Sequence, residues 1–469
     1  MPPPATPAPL PMNLKPLSVA LLGLTVPLLA AAAPASYNVT DYGAVEDGRT
    51  NNTAAIARTI AACAAAGGGT VCFPAGRYLT GSIALGSNMT LWLEAGSELL
   101  YSGDPADSPL VPSRWESTNA YTHAPLIYAN GRENVAVVGR GTINGQGSNW
   151  WWRNGRYDPA RAAATKPAEA AWLGLYDRIE AGARPGAGEF GLAAEYLRPS
   201  LVQFYGCRNV LVEGVTLAES PMWMLHPIYC ENVSVRGVSF LSTGPNGDGV
   251  DVDSCRDVRI ADCFFNTGDD CIVLKSGRNA DGRRTARPTE HVAITNCVMY
   301  HGHGAVVIGS ETSGGIRDVV ASNIIARGTD RGIRIKSMLG RGGVIENMRF
   351  DNFVIEDATA AAIEITSLYH TDHDVVVAGP TPLFRNLAFS NLTIVNAGQV
   401  ASIEGLPSQD LEQLRFSDVT ASGATGIVCR HAADVELRGV RVEAGTGGAL
   451  VLAHVRNLRI DGVRQPDVP

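Results

Sequence analysis

A short phrase recurs along most of this chain and constrains its fold more than any other feature. Each copy is a turn residue followed by alternating apolar and polar residues, rich in β-branched side chains and punctuated by Gly, Asn or Asp. Most neighbouring copies begin about 21 to 29 residues apart. The copies are ENVAVVG (133–139), RNVLVEGVTL (208–217), ENVSVRGVSF (231–240), RDVRIADCFF (256–265), EHVAITNCVM (290–299), RDVVASNIIA (317–326), ENMRFDNFVI (346–355), RNLAFSNLTI (385–394), EQLRFSDVTA (412–421), ADVELRGVRV (433–442) and RNLRIDGVRQ (456–465).

One such unit cannot bury its own apolar face, so successive copies must stack on one another. The period lacks helical spacing, which excludes solenoids of helical hairpins, and no L-x-x-L-x-L phrase recurs, which disfavours a leucine-rich repeat. The repeat therefore predicts an all-β chain folded as a right-handed parallel β-helix. In such a solenoid, polar residues at the same phase of different repeats meet in space.

Two kinds of segment interrupt the repeat. Residues 150–197 are Ala-rich and aromatic and read as a partly helical insertion, while 277–288 form a shorter Arg-rich excursion containing Arg278, Arg283, Arg284 and Arg287. The amphipathic stretch Asn51 to Ala65 predicts a helix that caps the first coil and covers its open strand edges. Residues 36–469 are thus expected to form one β-helical catalytic domain.

The first 35 residues have the pattern of a secretory signal peptide. Lys15 precedes an apolar run from Leu17 to Leu29, and small residues continue to Ala35. Met12 is the alternative start, because the eleven residues before it add only a Pro-rich preface. We therefore predict a secreted or periplasmic protein, with a membrane anchor as the less favoured interpretation of this run.

Charge and cysteine usage narrow the possible partners. The formal net charge of −8 argues against nucleic acid, and no segment after the first forty residues is long and apolar enough to span a bilayer. The nine cysteines include no C-x-x-C pair, which argues against a zinc site of that type, and their spacing predicts no particular disulfide. The chain is expected to be a monomer.

Polar residues follow consecutive repeats at comparable phase. They are Asp248, Asp251 and Asp253 after one copy, Asp269 and Asp270 after the next, His301, His303 and Glu311 after the third, and Arg334 and Lys336 after the fourth. Asp251 and Asp253 alternate with valines and read as outward strand residues. Each residue alone is more simply an ordinary turn or surface residue. Together, the others predict one patch of carboxylates, an imidazole and two cations.

That combination suits glycoside hydrolysis. One carboxylic acid must protonate the leaving oxygen while another carboxylate activates water or attacks the sugar. Crowding of carboxylates raises the pKa of one of them toward the range of a general acid. Nearby Arg and Lys side chains can bind carboxylates on the substrate, where Arg offers a bidentate fork.

The motifs NGD (246–248), GDD (268–270), GHG (302–304) and RIK (334–336), in this order, resemble those of the polygalacturonase family, glycoside hydrolase family 28. The resemblance covers nearly the whole chain after residue 36. It includes the opening GGGTVCFPAGRYLTGSI and the stretch SPMWMLHP (220–227), which contains His226. The phrases around GHG and RIK look most like those of bacterial, exo-acting members.

The resemblance implies an inverting hydrolase that cleaves α-1,4-galacturonosidic bonds of pectin without metal or cofactor. Asp269 would be the general acid, Asp248 and Asp270 would hold and activate the water, and His303 would tune the acid. Inversion implies acid and base carboxyls about 6.5–9.5 Å apart. The expected substrate-binding residues are Arg334, Lys336, Asn246, Tyr369, His226 and Glu311.

One departure from the family pattern concerns the substrate. Many members carry Asn-Thr-Asp where this chain has Asn246, Gly247 and Asp248, so the exact pectic substrate stays open. The insertion at 150–197 could close one end of the cleft, which favours exo action. The arginines of 277–288 could add positive potential for a polyanion.

Three other functions remain as alternatives. A hydrolase of the same family could act on rhamnogalacturonan or another branched pectin. A pectate lyase would use the carboxylates for calcium and an arginine as base. A non-catalytic carbohydrate-binding β-helix would have no need for crowded carboxylates beside a histidine and two cations.

Overall fold

The structure is a computed structural model that describes residues 1–2, 35–153, 159–369 and 380–469, without the side chains of residues 160 and 162. The predicted signal peptide therefore lies almost entirely outside the described residues. Among the residues that are described, no helix combines the length and the hydrophobicity needed to cross a bilayer.

Three parallel sheets wind together as a right-handed β-helix, which confirms the predicted fold class. The first sheet contains Ile83–Ala84, Ile127–Asn130, Val202–Tyr205, Leu225–Ile228, Val250–Asp253, Ile272–Lys275, Val306–Ile308, Ile333–Lys336, Ala361–Thr366 and Leu450–Arg456. The second contains Ser36–Asn38, Gly69–Phe73, Met89–Leu93, Glu133–Gly139, Arg208–Glu213, Glu231–Arg236 and Arg256–Ala261. The third contains Asp47–Asn51, Gly76–Thr80, Ser97–Tyr101, Thr142–Asn144, Thr216–Ala218, Ser239–Ser242 and Phe264–Thr267.

Toward the carboxyl end, single strands run through more than one sheet. These longer strands are Thr289–Tyr300, Ile316–Arg327, Val344–Glu356, Leu383–Glu404 and Leu411–Ala444. The last coil ends in an antiparallel pair, Arg459–Ile460 with Val463–Arg464. A separate antiparallel hairpin, Leu110–Trp115 with Thr118–His123, lies outside the β-helix ladders.

The recurring turn residue of the repeat has a structural cause. Asn88, Asn134, Asn209 and Asn232 adopt left-handed backbone conformations, with φ between 56° and 57°, which asparagine tolerates better than most residues. Their side-chain amides donate to one another from coil to coil, at 2.7 Å, 2.8 Å and 2.7 Å. The turn is therefore stabilised across these four coils, which enter their next strands in the same register.

The core repeats in the same way. Phe350, Phe389 and Phe416 stack face to face on consecutive coils, with ring centroids 5.2 Å and 4.7 Å apart. All nine cysteines are free and eight of them are buried. The amides of Cys207 and Cys230 each donate to the sulfur one coil further on, so these cysteines serve as small core residues.

The described residues form six α-helices besides the β-helix: α1 Thr53–Ala65, α2 Ser148–Trp151, α3 Pro159–Ala162, α4 Lys166–Glu180, α5 Gly191–Ala194 and α6 Asn279–Thr285. Short 3₁₀ turns occur at Val39–Tyr42, Pro105–Asp107, Ala163–Thr165 and Ala187–Glu189. Helix α1 caps the first coil as predicted, burying Ala55, Ile56 and Cys63 against it. It begins two residues later than predicted because Asn51 pairs with Leu79 in a strand, and its side-chain oxygen accepts from the Thr53 amide.

Helices α2 to α5 fall in or beside the predicted insertion, and α4 and α5 pack against the hairpin. A second hydrophobic cluster joins them, formed by Trp115 and Ala120 of the hairpin, Trp172, Leu175, Ile179, Phe190, Ala193 and Leu197 of the insertion, and Met222 and Trp223 of the β-helix. We call the hairpin and α4–α5 the wall. It stands on the first sheet beside the strand Val250–Asp253.

A buried ion pair fastens the wall to the β-helix. Arg114 of the hairpin donates to Asp253 at 2.5 Å, and neither side chain is exposed to solvent. Asp253 points away from the β-helix core, as predicted, but the wall covers it. Removal of one partner of a buried ion pair leaves the other charge buried and unpaired, which is strongly destabilising.

We therefore expect Arg114→Met to lower the free energy of unfolding by about 3–5 kcal/mol. Arg77→Met, which breaks the Arg77–Glu98 pair with side chains 60% and 25% exposed, is the matched control and should cost about 1 kcal/mol or less. Chemical denaturation followed by circular dichroism measures both. Equal effects of the two substitutions would contradict this account of how the wall is held.

Candidate active site

The turns that precede two consecutive strands of the first sheet place three carboxylates together. Asp248 and Asp270 each lie two residues before register partners, Val250 and Ile272, so they sit one coil apart. Asp269 adjoins Asp270, and one oxygen from each of the three carboxylates lies within 4.8 Å of the others. Neighbouring strands are about 4.7–4.9 Å apart, so the ladder itself sets this separation.

The separation is shorter than expected for an inverting enzyme. The expected 6.5–9.5 Å is not found between these closest oxygens, because the acid and the two candidate bases come from adjacent residues or adjacent coils. Among the described residues, this is the one group of three or more His, Cys, Asp or Glu side chains whose ligand atoms are close enough to share a metal ion. The side chains of His303 and Lys336 already contact oxygens of the group.

These two side chains come from the coils that follow Asp270 in the sequence. His303 Nδ1 lies 2.9 Å from Asp269 Oδ1, and Lys336 Nζ donates to Asp270 Oδ2 at 2.9 Å. Arg334 is 4.0 Å from the other oxygen of Asp270. The predicted patch of three carboxylates, one imidazole and two cations is therefore present as a continuous cluster, which we call the carboxylate cluster.

The three carboxyls differ in exposure and in proton affinity. Burial and the charges of Asp251 and Asp269 raise the pKa of Asp248 well above its usual range. Burial also acts to raise the pKa of Asp269, but the hydrogen bond and charge of His303 outweigh it and lower that pKa. The Asp269 side chain is 20% exposed, whereas that of Asp270 is 2% exposed. Asp269 is thus the carboxyl that faces the cleft.

Two oxygens of the cluster, Asp248 Oδ1 and Asp270 Oδ1, are buried and accept no hydrogen bond from the described residues. Buried acceptors of this kind normally bond to a protein group or to water. The pair can therefore receive the protons of one water molecule between two coils. Gly304 keeps this region open, because a Cβ there would lie 3.3 Å from Asp270 Oδ1 and 2.4 Å from a methyl carbon of Val307.

Arg334, Lys336 and Tyr369 form one edge of the site. The Arg334 guanidinium and the Lys336 ammonium lie 5.3 Å and 5.1 Å from the centre of the Tyr369 ring. Arg334 Nε donates to Glu364 at 2.6 Å, which fixes the guanidinium plane. Residues 370–379, which follow Tyr369, lie outside the described residues.

The other predicted binding residues lie beneath the site or behind it. His226 is fully buried, with its ring edge-on to Trp223 and Nδ1 3.2 Å from Ser200 Oγ. Glu311 is held by Lys275 at 2.9 Å and by Arg341 at 3.4 Å. In this structure both residues are buried among these tertiary partners, and their contact with substrate stays a prediction.

Asn246 belongs to the turn that carries Asp248. Its Oδ1 accepts from buried Arg198 at 2.5 Å, and the same guanidinium donates to the carbonyl of Pro245. Gly247 replaces a larger residue for a steric reason, since a Cβ there would lie 2.8 Å from the Gly244 carbonyl oxygen. Trp151 of α2 covers Gly244 in turn. The departure from Asn-Thr-Asp is therefore built into the packing of this turn.

Sequence reasoning missed Lys275, Arg198 and Glu364. Lys275 is the register partner of Asp253 on the next coil, and both residues occupy outward positions of the first sheet. Its Nζ lies 3.8 Å from Asp251 and 4.8 Å from the centre of the Trp223 ring. Lys275 and Glu364 could have been found by comparing the residues at every outward strand position of successive repeats, and not only those in the turns. Arg198 directly follows the insertion, where no repeat marks its partners.

The four arginines of 277–288 serve different purposes. Arg278 pairs with Glu116 of the hairpin at 2.6 Å, and Arg283 donates to the backbone of Gly340. Arg284 donates to carbonyls of α4, and Arg287 to the carbonyl of Tyr229. They do not contact the carboxylate cluster in this structure, and the first two mainly fasten loops.

Two family models match parts of the chain. The family model "Glycosyl hydrolases family 28" matches residues 191–442, and the model "Rhamnogalacturonase A/epimerase, pectate lyase-like" matches residues 36–98. The chain belongs to glycoside hydrolase family 28.

Several relatives match over most of their length. The chain is 31% identical to a "Probable polygalacturonase" of Vitis vinifera over 399 residues, which cover 82% of this chain and 74% of that protein. It is 28% identical to the "Exo-poly-alpha-D-galacturonosidase" of Dickeya chrysanthemi, covering 93% and 76%. A solved exopolygalacturonase from Thermotoga maritima superposes with a TM-score of 0.76 at 33% identity, covering 92% and 94%.

The contact between His303 and Asp269 leads to a prediction about pH and stability. The hydrogen bond from His303 to Asp269 raises the pKa of His303, so its contribution to stability is present below the unfolded value of about 6.5 and is lost as pH rises through the folded pKa. The lowered pKa of Asp269 gives a contribution present above about 3.9 and lost as pH falls through the folded pKa. Both contributions coincide between roughly pH 4 and 6.5.

We therefore expect His303→Ala to lower the thermal unfolding midpoint most within that window and least at alkaline pH. The control is His291→Asn, which breaks the 3.1 Å pair with Asp257, a carboxylate 47% exposed, while tolerating the positive φ of residue 291. Its effect should be smaller because exposed pairs contribute little. A pH-independent effect of His303→Ala would contradict the assigned ion pair.

Proposed function

We propose that this protein hydrolyses the α-1,4-galacturonosidic bonds of pectic galacturonan, acting from a chain end. The observation that carries the proposal is the carboxylate cluster, in which one partly exposed acid and two buried carboxylates lie next to the cations Arg334 and Lys336. A neutral polysaccharide would give those cations nothing to bind, whereas every ring of galacturonan carries a carboxylate. Membership of family 28 supports the same reaction class.

Asp269 is the proposed general acid, because its side chain is the most exposed of the three and can approach a glycosidic oxygen. In the free protein its pKa is lowered by His303, which runs against the requirement for a protonated acid. A bound galacturonate would cover Asp269 and add a negative charge, and both changes raise a carboxyl pKa. The raised pKa of Asp248 favours a proton on that carboxyl, and Asp248 lies in the same cluster, so we propose that it supplies the proton of the acid.

Asp248 and Asp270 are the proposed base pair. Their buried, unpartnered oxygens can bind the attacking water, while Lys336 donates to the other oxygen of Asp270. During hydrolysis Asp269 gives a proton to the leaving oxygen, water attacks the anomeric carbon, and the proton that water loses goes to the base pair. The proton count of the cluster is unchanged after one turnover.

Direct attack by a carboxylate is the second mechanism, favoured by the short separation within the cluster, which is near the 5–5.5 Å typical of retaining enzymes. Against it, Asp270 and Asp248 are almost completely buried, so their oxygens are poorly placed to reach an anomeric carbon. We therefore propose inversion through water, which is also the outcome that the family resemblance implies.

Arg334 and Lys336 are proposed to bind the substrate carboxylate beside the scissile bond. The Arg334 guanidinium uses Nε for Glu364, and its terminal nitrogens face the side of Asp270. Tyr369 lies under both cations and can contact the sugar ring. Asn246 is proposed to contact substrate from the turn of Asp248, with its orientation set by Arg198.

Chain-end action is supported by the wall, which rises on the first sheet beside the cluster, and by two of the relatives above, whose names denote exo-acting enzymes. We also propose that the protein acts as a secreted or periplasmic monomer on a pectic substrate, with residues 1–35 as its signal peptide. Branched pectin, such as rhamnogalacturonan, is the alternative substrate, because the Asn-Gly-Asp turn differs from many family members.

The test is a digest of polygalacturonic acid without added calcium, in which reducing ends, ultraviolet-absorbing unsaturated products and chain lengths are followed together. We expect reducing ends without unsaturated product, and monomer or dimer from the start. A ladder of mid-length oligomers would contradict chain-end action, and unsaturated product would identify a lyase. Activity confined to rhamnogalacturonan would favour the alternative substrate.

Asp269→Asn is the active-site control for this digest. Removing the general acid should lower turnover about 10²–10⁴-fold while the polymer still binds, because the amide keeps the size of the carboxyl. Asp357→Asn makes the same change at an exposed carboxyl outside the site and should leave turnover intact. Unchanged turnover in Asp269→Asn would remove Asp269 from the mechanism.

A further inference from the structure

A second groove lies at the opposite ends of the strands from the carboxylate cluster. Its volume is about 600 Å³, within the range of ligand sites, and it opens between the hairpin, α4 and α6. Tyr205 closes the strand Val202–Tyr205 and Tyr229 follows Leu225–Ile228, whereas Asp248 and Asp270 precede their strands. A four-residue strand spans about 10 Å or more, so the two sites are distinct.

The floor of this groove is aromatic and rigid. The rings of Tyr205 and Tyr229, on consecutive coils, meet edge to face with centroids 5.4 Å apart. Tyr229 is held between the guanidiniums of Arg114 at 4.3 Å and Arg287 at 5.3 Å, and its hydroxyl donates to Asn119. Such fixed aromatic faces are typical of small-molecule sites, because little conformational entropy is lost when a ligand packs on them.

The rim of the groove is positive in a protein whose net charge is −8. Arg184, which follows α4, is exposed, and Arg287 donates to a backbone carbonyl. The described residues supply neither with a carboxylate in ion-pair contact. Asp281, the acidic residue of the lining, is already bound by the amide and side chain of Asn119. Two guanidiniums are thus available to anions beside an aromatic floor.

We propose that this groove is an accessory binding site for a uronate chain, separate from the catalytic cleft. Guanidiniums bind carboxylates through paired, charge-assisted hydrogen bonds, and the Tyr205 ring offers an apolar surface to the side of a sugar ring. The choice of galacturonan as the occupant rests on the proposed function. The groove holds part of the polymer near the enzyme and so raises the effective concentration of chain ends at the cleft.

The test compares two pairs of substitutions in the Asp269→Asn protein by electrophoresis through gels that contain polygalacturonate. Arg184→Gln with Arg287→Gln alters the groove, and Arg438→Gln with Arg441→Gln makes the same charge change on exposed residues of the strand Leu411–Ala444. We expect the groove pair to reduce retardation several-fold and the control pair to leave it nearly unchanged.

The same pairs in the otherwise unaltered enzyme provide the kinetic readout. The groove pair should raise KM for long polygalacturonate several-fold at low ionic strength, and salt should diminish the difference. Turnover of trigalacturonate should match that of the control pair, because a short substrate occupies the cleft alone.

Three outcomes would overturn the proposal: equal retardation of both pairs, an equal loss of activity on trimer and polymer, or equal retardation of the starting protein by polyglutamate. The last result would mean that charge alone, without sugar recognition, explains retention. Electrophoresis requires no turnover, so a failure of the proposed hydrolysis would appear in the digest and would leave the groove to be judged by its own binding data.

Discussion

The coil-to-coil register of the parallel β-helix is the constraint on which the rest of this structure depends. Each residue of the first sheet lies directly above its counterpart in the next coil, at the spacing of hydrogen-bonded strands. Asparagines in left-handed turns maintain that register on the outside, and stacked phenylalanines maintain it in the core. The carboxylate cluster is a direct product of this register, because Asp248 and Asp270 occupy the same position in consecutive coils.

The same register explains why the site must contain so many cations. Stacking carboxylates at strand spacing in a buried location is costly unless opposite charges are equally close. The compensating charges come from Lys275, Lys336 and Arg334, which occupy outward positions of the following strands. The same strand register that stacks the carboxylates therefore also places these cations beside them. The wall then excludes water from Asp253 and Lys275, which strengthens these interactions.

Much of this could be predicted from the sequence, because the repeat encodes phase. The β-helix, the capping helix and the grouping of Asp248, Asp269, Asp270, His303, Arg334 and Lys336 all follow from alternation and spacing. What could not be predicted belongs to residues outside the repeat. Arg114 reaches Asp253 from a hairpin, and Arg198 reaches Asn246 from the segment that follows the insertion, and neither segment has a periodic signature. The burial of His226 depends on Trp223 and the wall packed against it.

The separation of the carboxyls is the clearest case where a general rule and this fold disagree. An open cleft with carboxylates on separate elements can set the distance between acid and base freely, whereas a solenoid with both on adjacent coils cannot. In the proposed mechanism burial resolves the disagreement, since the enclosed Asp248 and Asp270 would hold water and would not touch the sugar.

The most direct test of this account is the anomeric configuration of the first product, followed by proton NMR at early times in a digest of trigalacturonate. Attack by water held between Asp248 and Asp270 predicts that β-galacturonate forms first and then equilibrates with the α anomer. Initial release of the α anomer would mean net retention. That result would contradict the assignment of the two buried carboxylates as the base pair.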